Sequence, residues 1–492
     1  MRRAVVAAAA ACLLIAPTVL AFFSGGYFAE PRLIAALVTW ALVLALAIVG
    51  PAPLPRTLPG ALAVGGLAAL TIWTAISIAW APLGGPAGDS VQRLVLYLGA
   101  LLLAIGALRD PRMQRAAEPV LAAGTVIVVG YGLAGRLLPD LIDLARSRSA
   151  GGRLEQPITY WNAEGALAAI GLVLCARVAG DRSRPLAMRA AAAAAAAPLG
   201  AGVYLSYSRG AIAAAALGLV VLVAAAPTRC QLRAAAVALA TGIAAALAAA
   251  PFAGVASLAG THRARDGAIV LALLLVLAAA AAVVIARDHG GDDPLRRPGW
   301  IRAAAAGAVA AVVIGLVAGG LGERPSAKEL ATGASAQRLA TVSSNRYEYW
   351  RVGMNAFARE PLTGIGSAGF RVEWLRERRI REAVRNAHSL PVETAAELGL
   401  PGLLGLAALV AGVALAARRA LARHRPLAAG ASAALTTWLL HACIDWDWQV
   451  PAVTLPSITL AGLLLALSER RADQAAGGPR VPAARSPDRA RA

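Results

Sequence analysis

The chain has 492 residues, 59% of them hydrophobic and only 15% charged, with a formal net charge of +20. Soluble domains carry about 25% charged residues, so this composition, with a mean hydropathy of +0.65, excludes a water-soluble globular protein and points to one membrane domain. The arginines are spread among loops instead of being gathered on one face with aromatics, which excludes a nucleic-acid-binding surface despite the charge.

Apolar runs of spanning length, about 17 to 25 residues, recur from Ala4 to Leu467. Hydropathy predicts an all-α polytopic membrane protein of about 12 to 14 transmembrane helices. They fall at 4–23, 33–50, 60–80, 94–108, 119–137, 161–178, 186–205, 210–226, 232–250, 267–286, 301–320, 391–417, 426–443 and 452–468. The first run follows Met1-Arg2-Arg3 and reads as an uncleaved helix, because it is of spanning length and further spans follow at once. Cys12, Cys175, Cys230 and Cys443 are scattered without CxxC spacing, so neither a disulfide framework nor a zinc site is expected.

Placing the N-terminus in the cytoplasm puts Arg56, Arg109, Arg112, Arg115, Arg177, Arg182, Arg184 and Arg189 on the cytoplasmic side. Later loops on that side carry Arg229, Arg233, Arg287, Arg296, Arg297, Arg302, Arg418, Arg419, Arg423 and Arg425. Opposite them, the short loops hold Arg32, Arg93, Arg263 and Arg265. The positive-inside rule therefore favours this frame. Residues 1–468 form the membrane domain, and 469–492 read as a disordered basic cytoplasmic tail.

Two outward segments exceed ordinary connectors. One runs from Leu138 to Tyr160; the other, from 321 to 390, is a large extracytoplasmic loop. Within it Asn345 and Glu348 have capping-box spacing, and Tyr347, Trp350, Met354 and Phe357 recur at helical intervals, which predicts an amphipathic helix. GIGSAG at 364–369 matches GxGxxG in letters but lacks the strand, helix and acidic residue of a dinucleotide fold, and reads as a turn.

Several polar residues converge on the outward face. Arg209 stands between two apolar runs in VYLSYSRGAI, where a charge is expensive unless it snorkels or meets a partner. Arg346 begins the amphipathic helix, where unpaired backbone N–H groups favour an anion. His388 lies in NAHSLP just before a span, and a histidine there titrates near neutrality. His441 and Asp445, at i, i+4 spacing, precede Trp446 and Trp448, which suit an interfacial belt. Arg153 and Asn162, the latter at a helix start, complete the set. His388, His441 and Asp445 have metal-ligating atoms but no ligand motif, so no metal is expected.

Three segments carry a likeness to a known family: YSRGA at 207–211, NRYEYWRVGMNAFAREPLTGIGSAGF at 345–370 and AHSLPVETAAELGLPGLLG at 387–405. HACIDWDWQVPA at 441–452 and RLEQPITYWNAEGALA at 153–168 add to it. The chain resembles the O-antigen ligase and polymerase superfamily of bacterial inner-membrane glycosyltransferases, with an O-antigen ligase-like region at about 200–410. It departs from the family in having Trp161-Asn162 for Pro-Asn and His388-Ser389 for His-Asn.

The resemblance implies metal-independent, cofactor-free transfer of a glycan from an undecaprenyl-diphosphate carrier to a hydroxyl-bearing glycan, lipid or wall acceptor at the outer face of the cytoplasmic membrane. Arg209 and Arg346 would then bind diphosphate, a role suited to the guanidinium fork, and His388 would activate the acceptor hydroxyl. Arg153, Asn162, Tyr207, His441 and Asp445 become candidate substrate-binding residues. A polytopic transporter of a small anion or polysaccharide-related solute is the alternative, since charged residues in spans can line a solute path. The choice between ligase and polymerase, and the role of Glu397, stay open.

Overall fold

In hydrocarbon every backbone N–H and C=O must find its partner within the chain, which leaves the helix as the element an apolar run adopts. The computed structural model describes residues 1–50, 53–288 and 345–469, together with 290, 293–295, 299, 303 and 307. The described residues contain no strand, and 11 of their helices are long and apolar enough to cross a membrane. In chain order the first are α1 (Arg2–Ala21), α2 (Ala29–Val49), α3 (Leu58–Ile76), α4 (Gly84–Ala107), α5 (Pro111–Leu137) and α6 (Trp161–Gly180). Then come α7 (Leu186–Ala194), α8 (Ala196–Leu205), α9 (Arg209–Ala225), α10 (Arg229–Ala249), the short α11 (Ala253–Ala256) and α12 (Arg263–Ala286). After the undescribed stretch follow α13 (Arg346–Arg359), α14 (Phe370–Glu377), α15 (Leu390–Arg423), α16 (Arg425–Ala442) and α17 (Pro451–Glu469).

The α7–α8 run spans as one unit, while α9 has only 17 residues. α16 is less apolar than the eleven because Arg425, Ser432, Thr436, Thr437 and His441 interrupt it. The expected 301–320 helix, the 321–344 part of the large loop and the tail beyond Glu469 lie outside the described residues. Two helices begin well before hydropathy placed them, because their opening turns are polar. α4 starts at Gly84 instead of 94, and α5 at Pro111 instead of 119, where Asp110 caps it by accepting from the Arg112 N–H at 2.8 Å.

α6 and α17 are buried along their whole spanning windows. α6 packs among α5, α8, α9, α10 and α16, and α17 among α1, α4, α15 and α16. Small residues allow the close approach, as in other membrane bundles. A Cβ on Gly171 of α6 would stand 2.1 Å from Thr125 Oγ1, and one on Gly412 of α15 would stand 2.5 Å from the Ala63 nitrogen of α3.

α13 and α14 pack beside the entry to α15 around a small core of Tyr349, Val352, Phe370, Trp374, Val384 and Ala387. Here two expectations fail. Asn345 makes no capping bond; its amide donates to Glu382 at 2.7 Å, and Glu348 binds Arg351 at 2.8 Å, so the capping box does not form. The buried stripe of α13 is Tyr349, Val352, Gly353 and Ala356, whereas Met354 is 46% exposed. The helix lies so close to α15 that glycine and alanine suit the contact, and a Cβ on Gly353 would come 2.8 Å from Val392.

The loop between α13 and α14 wraps the break in α15. Gly399 has φ +62° two residues before Pro401, which frees local backbone groups. The segment 364–366 fills them: the Ile365 N–H donates to Ala396 O at 3.0 Å and the Gly366 N–H to Glu397 O at 3.0 Å. The Glu397 carboxylate accepts from the N–H groups of Ala368 at 2.8 Å and Phe370 at 3.1 Å. Glu397 thus holds the GIGSAG turn, whose Gly364 and Gly366 take φ of +65° and +85°.

Candidate active site

The site forms at the end of the bundle where α6, α9 and α15 begin and α16 ends, under α13. Asp445 is its node. The α16 helix stops at Ala442, so Asp445 enters from the following turn instead of continuing the helical register. Fully buried, it accepts from Tyr160 Oη at 2.7 Å, Asn162 Nδ2 at 2.7 Å and the Trp446 N–H at 2.9 Å, and it is ion-paired with Arg346 Nη2. Asn162 Nδ2 also donates to Tyr160 Oη at 2.8 Å. Four donors converge on one carboxylate. Burial alone pushes the Asp445 carboxyl up, but Arg346, with His388 and His441, holds it below its ordinary value. The same pairing outweighs the burial of Arg346 and keeps its guanidinium firmly charged.

The helical i, i+4 partnership of His441 with Asp445 is not made. His441 Nδ1 lies 2.6 Å from Asp447 Oδ2, and its Nε2 lies 3.3 Å from Ser208 Oγ. Ser208 caps α9, accepting from the Ala211 N–H at 3.2 Å, and the same hydroxyl lies within hydrogen-bond distance of the His441 ring. That ring therefore ties α16 to the first turn of α9, where Arg209 is half-buried at the first helical position. Gly210 is part of the same contact, since a Cβ there would stand 3.2 Å from the His441 ring.

His388 has φ +51° and stands just before α15, with Nδ1 3.0 Å from the Asn386 carbonyl. This contact assigns the ring proton to Nδ1 and leaves Nε2 as the acceptor. The ring lies between Tyr349 and Trp446, with centroids 5.0 Å and 6.3 Å away. Burial lowers the His388 pKa from its ordinary 6.5, so the imidazole is neutral at pH 7. Glu393, one turn into α15, fixes the approach by accepting from the Ala387 N–H at 2.9 Å and Gln449 Nε2 at 2.5 Å.

Arg346, Asn162, His388, His441 and Asp445 are thus brought to one region, with Arg209 beside His441 in the chain fold. Arg153 and Tyr207 are directed elsewhere. The Arg153 guanidinium lies 3.5 Å over the Trp161 ring and donates to Ala150 O at 2.6 Å and Ser149 O at 2.8 Å. Tyr207 is buried with φ +51° and donates to Ala256 O at 3.3 Å. Tyr160, Asp447 and Glu393 have roles that sequence reasoning did not assign. Tyr160 and Asp447 adjoin motif residues, but only the fold shows what they bind.

Two cavities adjoin the cluster. One, of about 40 Å³, is lined by polar and apolar side chains together and runs between α3, α4 and α15 to Asp445 and Trp446. The other, of about 280 Å³, is an apolar cleft among α15, α16 and α17, and both share Leu390 and Trp448 in their walls. Among the described residues no group of histidine, cysteine, aspartate and glutamate is arranged to hold a metal ion.

Residues 232–407 match a family model described as O-antigen ligase. The matched stretch includes Arg346, His388 and Glu397, while Arg209, His441 and Asp445 lie outside it. Among curated proteins nothing matches the chain.

Proposed function

We propose that the chain transfers a glycan from an undecaprenyl-diphosphate carrier to an acceptor hydroxyl at the outer face of the cytoplasmic membrane. The family supports glycosyl transfer of the O-antigen ligase or polymerase type in general. The observation that carries the finer reading is the Arg346–Asp445 pair beside neutral His388, at the end of a membrane bundle and next to an apolar cleft.

In this reading Asp445 sets the direction of the Arg346 fork, and Arg346 with Arg209 binds the diphosphate. The acceptor oxygen attacks the anomeric carbon while the bond from that carbon to the phosphate oxygen breaks. The electron pair leaves with the diphosphate, where arginine stabilises the developing charge. The proton of the acceptor hydroxyl passes to His388 Nε2. The apolar cleft among α15, α16 and α17 suits the isoprenoid chain, so the diphosphate need not leave the headgroup level. Asn162 and Tyr160 keep the Asp445 carboxylate oriented, and His441 with Asp447 anchors the turn that presents Arg209.

The test is transfer by the purified full chain in vesicles, using lipid-linked glycan extracted from a strain that lacks the chain. Wild type is expected to transfer, also in the presence of a chelator. Arg209→Ala, Arg346→Ala and His388→Ala are expected to remain in the membrane and lose transfer. Full activity in all three variants contradicts the reading, and solute uptake without lipid-linked donor favours a transporter.

A further inference from the structure

Arg93, near the start of α4, has no part in the steps above, yet its environment is unusual. Its side chain belongs to a residue only 5% exposed, its Nη2 donates to Ser90 Oγ at 3.2 Å, and its Nε is buried without a hydrogen-bond partner. No carboxylate of the described residues is within ion-pairing distance of it. A buried guanidinium without a paired anion is costly to retain, which asks for a ligand. Arg93 lines the 40 Å³ cavity, whose other walls include Glu393, Glu397, Gln449 and Trp446 beside several leucines and which reaches Asp445.

The lining narrows the ligand chemistry. Glu393 and Glu397 oppose an anion, Arg93 opposes a cation, and an apolar group would leave buried polar atoms unsatisfied. Sugar hydroxyls both donate and accept, so they can satisfy a guanidinium and carboxylates in one place. Trp446 adds an aromatic face. The volume holds about three waters, the space of two or three hydroxyls on one edge of a sugar ring.

We propose that this cavity is a saccharide subsite, in which Arg93 with Glu393 and Gln449 reads the hydroxyls of a glycan whose reacting end lies at Arg346 and Asp445. The proposal rests on the glycan-transfer reading above. The hydroxyls belong to the donor glycan or to the acceptor glycan, and steady-state kinetics separates the two sources.

The experiment uses the reconstituted full chain, lipid-linked glycan from the deletion strain as donor and the acceptor fraction from the same strain. Arg93→Met is expected to raise KM about tenfold for one of the two glycans while kcat changes less than about twofold. Gln449→Leu and the milder Ser90→Ala are expected to raise KM for the same glycan, and they carry the test if Arg93→Met is lost from the membrane. An unchanged KM for both glycans in the variants that reach the membrane overturns the subsite. So does a loss of inhibition by inorganic pyrophosphate in Arg93→Met with glycan KM unchanged, which makes the cavity an anion site. If wild type itself transfers nothing, the glycan-transfer reading fails and the subsite falls with it. If wild type transfers and the KM values do not move, the subsite alone fails.

Discussion

At one end of the bundle Arg177 stands 3.3 Å from Asp181, donates to Pro426 O at 2.5 Å and to Gln231 at 3.1 Å, and so ties α6 to α16 and α10. Around it Glu118 accepts from the Ala431 N–H at 3.1 Å, Arg184 meets Asp181 at 3.3 Å, and Arg109 meets Glu469 at 2.8 Å. At the other end Arg346 meets Asp445, but beside that pair lie a neutral histidine, two cavities and a second buried arginine without an ion pair. Both ends bury charge. The first uses its charges to fasten helices to each other, whereas the second keeps polar groups facing space that a ligand can enter. A buried ion pair is by itself weak support for function; what distinguishes the Asp445 end is the combination of the pair with two adjoining cavities.

Removing one partner at each end separates the two roles. Asp445→Asn is expected to reduce transfer at least a hundredfold, on the order of the loss of one charge-stabilising contact in a transition state. It also leaves Arg346 without its buried partner, at a cost of about 3 kcal/mol in stability. Arg177→Met is expected to cost a similar amount, about 3 kcal/mol, because Glu118 and Asp181 lose their partner. Its transfer rate per folded molecule should stay within about twofold. Thermal unfolding in detergent and transfer in vesicles read the two effects separately, and an inactive but stable Arg177→Met would undo the distinction.

A smaller effect concerns pH. If His388 acts as a neutral base, burial keeps its folded pKa below the ordinary 6.5, so transfer should be level near pH 7 and fall only as pH drops beneath that value. A pH–rate profile whose acidic limb has its midpoint above 7 contradicts the assignment. The smallest expected change tests the orientation of α13. Met354→Ser should alter stability by less than about 0.5 kcal/mol, as at an exposed position. Ala356→Leu, on the buried face, should cost about 1 to 3 kcal/mol through overpacking. A larger cost at Met354 than at Ala356 would mean that α13 packs by the stripe read from its sequence.

Hydropathy made most of the spans legible because the bilayer demands long apolar runs. It missed the openings of α4 and α5 because Asp89, Ser90 and Gln92, and likewise Asp110, Arg112 and Gln114, form polar helical turns. The motif residues Arg346, His388, Asn162, His441 and Asp445 were legible as a set, but not their partners. His441 looked one turn from Asp445, yet the helix ends between them and hands the ring to Asp447. Arg93 looked like an ordinary loop arginine, since nothing nearby in the chain announces that α15 will bring Glu393 and Glu397 to it. The apolar stripe of α13 misled for a related reason. Close packing on α15 selects glycine and alanine, which a search for large side chains passes over.

The most direct measurement is the product balance of the purified chain in vesicles supplied with lipid-linked glycan and acceptor. One undecaprenyl diphosphate is expected to be released for each glycosidic bond formed, with both products lost together in Arg346→Ala. Movement of a solute across the vesicle membrane while the lipid-linked glycan stays intact would contradict it.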